Sequence, residues 1–184
     1  MWEDFFSKVK IKKGRGTPVC LANDKLLDET EKAINIKLPA SYRSFAKQIG
    51  PGEISPFFRI FAPNEGSKRW NLVDFVQSRT QLLAIAVDEF GDSPMLKDLL
   101  PFAETDMGDD LGWDTRGRRA DGEYPIYFYD HEYGEVHWIA ESFPEFVNEV
   151  CLGIRLERFI TSGGYKALHT FSPAQCDRKR KYRS

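Results

Sequence analysis

The order of the periodic segments is the feature that most restricts the fold of this chain. A helical pattern begins near residues 23 and 24, and a second runs from Ala40 to Ile49. Strand-like segments rich in aromatic and β-branched residues follow Leu99, and Ser142 opens a further helix with Glu145 in a capping box. Helices, then strands, then a helix predict an α+β fold with a mainly antiparallel sheet, not alternating βαβ units.

Local signals set the bounds of the individual elements. Gly50 and Pro51 end the second helix, since glycine accepts the left-handed conformation and proline cannot continue a helix. The remaining predicted strands run from Phe57 to Phe61 and from Leu99 to Ala103, and a hairpin pairs Pro125 to Asp130 with Val136 to Ala140. The remaining predicted helices start at Asn71, with an apolar stripe of Leu72, Phe75, Val76, Leu83 and Ala86, and run from Leu156 to Ile160. We expect disorder after Ser172.

Length and composition indicate one soluble domain with extensions. The 184 residues suffice for a sizeable core, and no apolar run is long enough to cross a membrane. The acidic start of the chain lacks the pattern of a signal peptide, so we expect a cytoplasmic protein. Cys20, Cys151 and Cys176 are odd in number and widely spaced, which predicts reduced thiols and no disulfide framework.

The net charge of −2 conceals an uneven distribution. Residues 1–16 carry +3 and residues 177–184 carry +4, so the chain between them carries −9. Residues 88–149 hold 17 Asp or Glu against four Lys or Arg, a net of −13. Such a stretch is compatible with an ordinary solvated surface, and equally with a surface that attracts a basic partner.

Several function classes lack support in the sequence. The phosphate-binding, nucleotide-binding, hydrolase and zinc motifs are absent, and His131, His137 and His169 lie in unrelated contexts. We therefore expect no cofactor and no metal. The basic ends could contact phosphates, but the anionic body between them argues against nucleic-acid binding.

The acids of residues 106–114 are the best candidates for a metal or acid–base site. Carboxylates bind Ca²⁺ or Mg²⁺, and a pair of them can divide acid and base roles. The stretch from Asp106 lacks the full calcium-loop pattern, so a tight turn with solvated acids remains the alternative.

Four sequence motifs occur in a characteristic order. They are Leu38-Pro39 with Tyr42 and Phe45, then Pro101-Phe102-Ala103 with Gly108-Asp109, then Tyr129-Asp130-His131, and finally Ala140 with Ser142, Phe143 and Phe146. This series resembles the SUKH superfamily, which includes a yeast cell-wall-synthesis regulator and many bacterial immunity proteins. The resemblance covers about residues 24–152, and we divide the chain into an N-terminal extension 1–22, a SUKH-like domain 23–153 and a C-terminal extension 154–184.

The resemblance implies a fold and a function. The implied fold is a curved, mixed, mainly antiparallel sheet flanked by helices, with Leu38, Tyr42, Phe45, Phe102, Trp113, Tyr127 and Phe143 in the core. The implied function is non-enzymatic: a bacterial immunity protein that neutralises a cognate toxin, often one that targets nucleic acid. We expect a monomer or a weak homodimer that binds neither nucleic acid nor membrane.

A toxin that binds the phosphates of nucleic acid must have basic residues around its binding site, so acidic residues are the expected contacts. Each candidate is also compatible with a solvated or structural role, and Trp113 with a place in the core. The candidate partner-binding residues are Asp106, Asp109, Asp110, Asp114, Arg116, Asp130 and Glu132, with Trp113, Tyr129 and Tyr133 as anchors.

Two other hypotheses stay open at this point. One is an intracellular regulatory scaffold whose basic C-terminal tail docks on a partner. The other is an enzyme that uses the acids of residues 106–114.

Overall fold

Eight strands form one open sheet within the part of the chain that the structure describes. The computed structural model describes residues 2–12, 19–90, 94–155 and 167–176. The strands are β1 (Lys10–Ile11), β2 (Gly52–Ile54), β3 (Phe58–Ile60), β4 (Leu99–Thr105), β5 (Asp110–Asp114), β6 (Ile126–Asp130), β7 (Glu135–Ala140) and β8 (Thr170–Pro173). Their order across the sheet is β1-β8-β2-β3-β4-β5-β6-β7, and only the β1–β8 pair is parallel.

Helices cover the sheet. They are α1 (Glu3–Lys8), α2 (Asp24–Ile34), α3 (Ala40–Gln48), α4 (Leu72–Phe90), α5 (Pro94–Lys97) and α6 (Phe143–Glu145), which continues as a π-helical segment, Phe146–Cys151; two 3₁₀ turns span Ser55–Phe57 and Lys68–Trp70. The expected α+β fold with a mixed, mainly antiparallel sheet is confirmed. The predicted helix from Leu156 to Ile160 and the tail 177–184 lie outside the described residues. The expectation of disorder after Ser172 is wrong for residues 173–176, where Ala174 is buried and Cys176 is cross-linked.

The helix ends form where the local signals predict them. The Asn23 side chain accepts a hydrogen bond from the Leu26 N–H at 2.9 Å and caps α2. Gly50 takes a φ of +78° and its N–H donates to the Phe45 carbonyl, which closes α3. Ser142 Oγ accepts from the Glu145 N–H at 3.3 Å, which confirms the predicted cap of α6.

A cluster of aromatic side chains fills the space between α3, the sheet and α6. The Tyr42 ring meets Trp113 and Phe143 edge-on, with ring centres 4.9 and 5.0 Å away. Phe102 stacks on Trp113 at 4.3 Å. The Tyr42 hydroxyl donates to the Phe61 carbonyl, so the one polar atom of its ring is satisfied. The predicted core positions are buried, except Tyr127, which is half-buried.

A second, smaller apolar cluster lies between the sheet and the α4–α5 region. It contains Leu83, Leu96, Leu99 and Tyr129, with Tyr127 and Val136 packed against it. The neighbouring Phe128 belongs instead to the main core. Strands β5 and β6 are therefore covered on both faces, and all five residues of β5 are buried.

Segments from both ends of the chain enter the same sheet and core. Strand β8 lies between β1 and β2 and pairs with both. Trp2 donates its indole N–H to the Ser41 carbonyl, and Phe5 packs edge-on against Phe171 at 5.7 Å. Residues assigned from the sequence to the two extensions thus pack directly against the SUKH-like domain.

The prediction of reduced thiols is wrong for two of the three cysteines. Cys20 and Cys176 form a disulfide, with Cα atoms 5.2 Å apart, while Cys151 is a free, buried thiol. An antiparallel bridge between Val19 and Gln175 holds the two flanking segments side by side. A separation of 156 residues hides this proximity from the sequence, because it arises only when β8 enters the sheet.

The disulfide predicts a redox-dependent stability. Cys20→Ser should lower the free energy of unfolding by about 2–4 kcal/mol under non-reducing conditions, because the cross-link restricts the unfolded chain. Under dithiothreitol, wild type and variant should unfold at similar denaturant concentrations. The Cys20→Ser/Cys176→Ser double variant should lose no more than the single one. Three alkylatable thiols in the unfolded, unreduced wild type would show that the bond does not form.

Candidate functional site

Two turns lie next to each other at one end of the sheet. The β4–β5 turn spans residues 106–109 and the β6–β7 turn spans residues 131–134. His131 Nδ1 lies 2.8 Å from Asp109 Oδ1, which joins the two turns. This contact brings into one surface residues that are more than 20 positions apart in the sequence.

The exposed part of these turns combines acids with apolar side chains. We call it the turn surface and define it as Asp106, Met107, Asp130, His131, Glu132 and Tyr133. Tyr133 is 67% exposed and Met107 50%, although both are large side chains. Neither turn contains Lys or Arg. Acids around two exposed hydrophobic side chains are typical of a surface that binds another protein.

Hydrogen bonds hold the turn surface in a defined shape. The Asp130 carboxylate accepts from the N–H groups of Glu132 and Tyr133 at 2.9 and 3.0 Å. Gly134 then takes a φ of +68°, and its N–H donates to the Asp130 carbonyl. In the other turn, Thr105 Oγ1 donates to Asp109 Oδ2 at 2.9 Å. A preformed turn loses little conformational entropy when it binds a partner.

The structure separates the sequence-predicted contacts into three groups. Asp106, Asp130, Glu132 and Tyr133 lie together on the turn surface, with Asp130 half-buried. Asp114 and Arg116 lie at the opposite end of β5, about 13 Å away for a strand of this length. The four others are buried: Asp109, Asp110, Trp113 and Tyr129.

These four side chains, and that of Asp114, do not face the solvent, and their contact with a partner stays a prediction. Trp113 belongs to the aromatic core and Tyr129 to the second cluster, so neither is an accessible anchor. Asp109 supports the turns through His131 and Thr105. The two-sided covering of β5 explains this burial, because it places acids in the interior that a single-sided sheet would expose.

Asp114 and Arg116 form a local ion-pair group. Arg116 Nε lies 3.3 Å from Asp114 Oδ1 and 3.2 Å from Asp98 Oδ2. Asp114 also accepts the Arg116 N–H, which fixes the loop after β5. These contacts give the pair a structural role and do not bring it to the turn surface.

Asp110 occupies the end of a chain of ion pairs. Arg79 Nε lies 3.1 Å from Asp110 Oδ1, and Arg79 also pairs with Glu104, which in turn pairs with Arg59 at 3.1 Å. Within the described residues, Asp110 Oδ1 accepts no hydrogen bond. Burial raises the pKa of Asp110 to about 7, although the charge of Arg79 acts to lower the pKa.

The acids of residues 106–114 do not converge as a metal site in the described structure. Asp109 faces His131 and Thr105, whereas Asp110 faces Arg79. No cluster of three or more His, Cys, Asp or Glu suited to a metal ion occurs among residues 2–12, 19–90, 94–155 and 167–176. In the same residues, no helix is long and apolar enough to span a membrane.

Sequence reasoning missed two members of the turn surface, Met107 and His131. The sequence shows His131 only as part of the Tyr129-Asp130-His131 motif, because its contact with Asp109 depends on the pairing of β5 with β6. Gly108, which follows Met107, is the sequence signal for this turn. A glycine permits the positive φ that a tight turn requires, and Gly108 takes a φ of +100°.

The raised pKa of Asp110 predicts a pH-dependent effect of Asp110→Asn. The folded wild type holds a proton that the unfolded chain releases near pH 4, so its stability should fall as the pH rises from about 4 to about 8. A pKa rise of this size corresponds to at most ~4 kcal/mol. The free energy of unfolding of the variant relative to wild type should therefore be higher at pH 8 than at pH 5, by at most about 3 kcal/mol, as measured by urea denaturation.

Asp106→Asn is the matched control, since Asp106 is exposed at the same turn. Its stability relative to wild type should not vary between pH 5 and pH 8. If the free energies of unfolding of Asp110→Asn and wild type differ by the same amount at the two pH values, Asp110 is not the titrating group.

A known protein family matches the part of the chain that contains both turns. The family model of the SMI1/KNR4 family (SUKH-1) matches residues 21–149. The match includes both turns of the turn surface and excludes strands β1 and β8. No curated protein matches the chain. Since the match spans more than half of the 184 residues, the chain belongs to the SMI1/KNR4 family (SUKH-1).

Proposed function

We propose that this protein is a non-enzymatic immunity protein that binds a cognate bacterial toxin in the cytoplasm and blocks its active site. The observation that carries the proposal is the turn surface, where exposed acids surround Tyr133 and Met107. Family membership supports the proposal, because immunity and regulatory roles both occur in this family.

Electrostatics favour a basic target, in particular a toxin that handles nucleic acid. A nuclease site binds phosphates with Lys and Arg, and an acidic turn without cations can occupy that site. The surrounding chain strengthens the field, because residues 120–154 contain no Lys or Arg. Association should therefore be fast at low ionic strength and slower as salt increases.

The apolar residues of the turn surface supply the short-range contacts. Tyr133 presents an amphipathic ring, and Met107 a flexible side chain that adapts to irregular surfaces. The hydrogen bonds from Asp130 and Asp109 fix the backbone beneath them. We propose that these two side chains act as anchors and that the acids steer and orient the complex.

The test is a charge reversal confined to exposed positions. In the Asp106→Lys/Glu132→Lys variant, affinity for a toxin domain encoded beside this protein should fall roughly 30-fold, since each lost charge pair costs about 1 kcal/mol. Titration calorimetry measures the affinity, and co-expression with the toxin measures protection of growth.

The control reverses two exposed acids outside the turns, Glu29 and Glu65. It has the same change in net charge and should lose much less affinity, through slower association alone. Equal losses of affinity in the two variants would indicate a general charge effect and no specific contact at the turn surface. Unchanged affinity in the first variant would exclude the turn surface as the interface.

A regulatory scaffold is the alternative function within the family. Deletion of the basic residues 177–184 separates the two functions. An immunity protein that acts through the turn surface should protect cells after this deletion. A scaffold that docks through the basic residues should lose its partner in a pull-down.

A further inference from the structure

A pocket of about 280 Å³ opens between β3, β4, the Lys68–Trp70 turn and the start of α4. It lies outside the turn surface and shares no residue with it. Its lining combines three arginines with three aromatic rings, a composition unlike that of the acidic body around it.

The floor of the pocket is aromatic. Phe61 and Phe75 stack almost in parallel, with ring centres 3.7 Å apart, and both are buried. Trp70 is tilted against Phe61 at 5.9 Å and is partly exposed. A planar ring that enters the pocket can therefore stack on aromatic faces.

Two of the arginines are held in place by protein carboxylates. Arg59 and Arg79 each donate a hydrogen bond to a different oxygen of Glu104. The guanidinium of Arg79 also lies 5.5 Å above the Phe75 ring. A guanidinium has five N–H donors, so the bonds to Glu104 leave donors on both groups for a ligand, at low entropic cost.

The third arginine, Arg69, has no carboxylate partner among the described residues. Its guanidinium lies 5.9 Å from the Trp70 ring, where it extends the flat aromatic surface. Glu104 is the one acid in the lining, but Glu53 also lies 3.5 Å from Arg59 and Asp110 lies 3.1 Å from Arg79, so the excess positive charge of the pocket resides on Arg69. A cationic pocket in a body with a charge of −9 should accept a small anion and exclude a long polyanion.

We propose that this pocket binds a small organic anion: one aromatic ring that carries a phosphate or a carboxylate. The ring stacks against Trp70 above the Phe61–Phe75 floor, and the anionic group accepts hydrogen bonds from Arg69 and from the free donors of Arg59 and Arg79. The volume is at the lower end for ligand pockets, which favours a single ring over a dinucleotide. The proposal is independent of toxin binding.

Trp70 fluorescence provides the test. In a Trp138→Phe background, Trp70 is the one remaining tryptophan that is not buried, since Trp2 and Trp113 are enclosed in the core. Phenyl phosphate and phenylacetate are the probes, with inorganic phosphate and phenol as the anion-only and ring-only comparisons. We expect at least one probe to quench the fluorescence saturably, with a dissociation constant at least tenfold lower than that of either comparison compound. The probe that binds more tightly identifies the anionic group.

Arg69→Ala should weaken binding of the tighter probe about fivefold or more, because it removes a charged donor. The matched control is Arg118→Ala, since Arg118 lies 5.9 Å from the Tyr124 ring in the same arrangement but outside the pocket. Both arginines are exposed, so both variants should fold, and thermal denaturation verifies this. The proposal is overturned if neither probe binds better than phosphate or phenol, or if Arg118→Ala weakens binding as much as Arg69→Ala.

Discussion

The edge-on packing of Tyr42 against Trp113 and Phe143 is the contact on which the remaining architecture depends. It joins α3, β5 and α6 at one point, and all three rings are fully buried. A buried carboxylate supports the same junction: Glu123 accepts hydrogen bonds from the Ser41 hydroxyl and the Phe143 N–H. With the helices fixed in this way, β5 is held in the interior and its two ends face opposite sides of the molecule.

The position of β5 explains why neighbouring acids have different roles. Asp109 and Asp110 are adjacent in sequence, but one supports the turn surface through His131 and the other extends the ion pairs of Arg79. Asp106, only three residues earlier, is exposed. The same ion pairs continue through Glu104 to Arg59 and the pocket. Two adjacent acids thus support different sites, Asp109 the turn surface and Asp110 the arginines of the pocket.

Local signals in the sequence predicted most helix ends and the β6–β7 hairpin, because caps and turns depend on a few neighbouring residues. Asn23, Gly50 and Ser142 act as their residue types predict. Contacts between distant segments were not predictable in this way. The pairing of β8 with β1 and β2, the Cys20–Cys176 link and the Asp109–His131 contact all require the finished topology. For the site, an acidic stretch was visible in the sequence, but burial selected which of its acids face the solvent.

The place of β8 has a consequence for the order in which the molecule can form. A ribosome releases β1 long before β8, yet among the described strands β1 pairs only with β8, which is made more than 150 residues later. Until residues 170–173 emerge, β2 is an exposed edge and Phe5 lacks its contact with Phe171. The meander from β2 to β7 can assemble during translation, whereas β1 must wait for β8 before it can pair. This half of the sheet should therefore form after synthesis has passed β8, and the nascent chain is most exposed to misfolding or capture by chaperones before that moment.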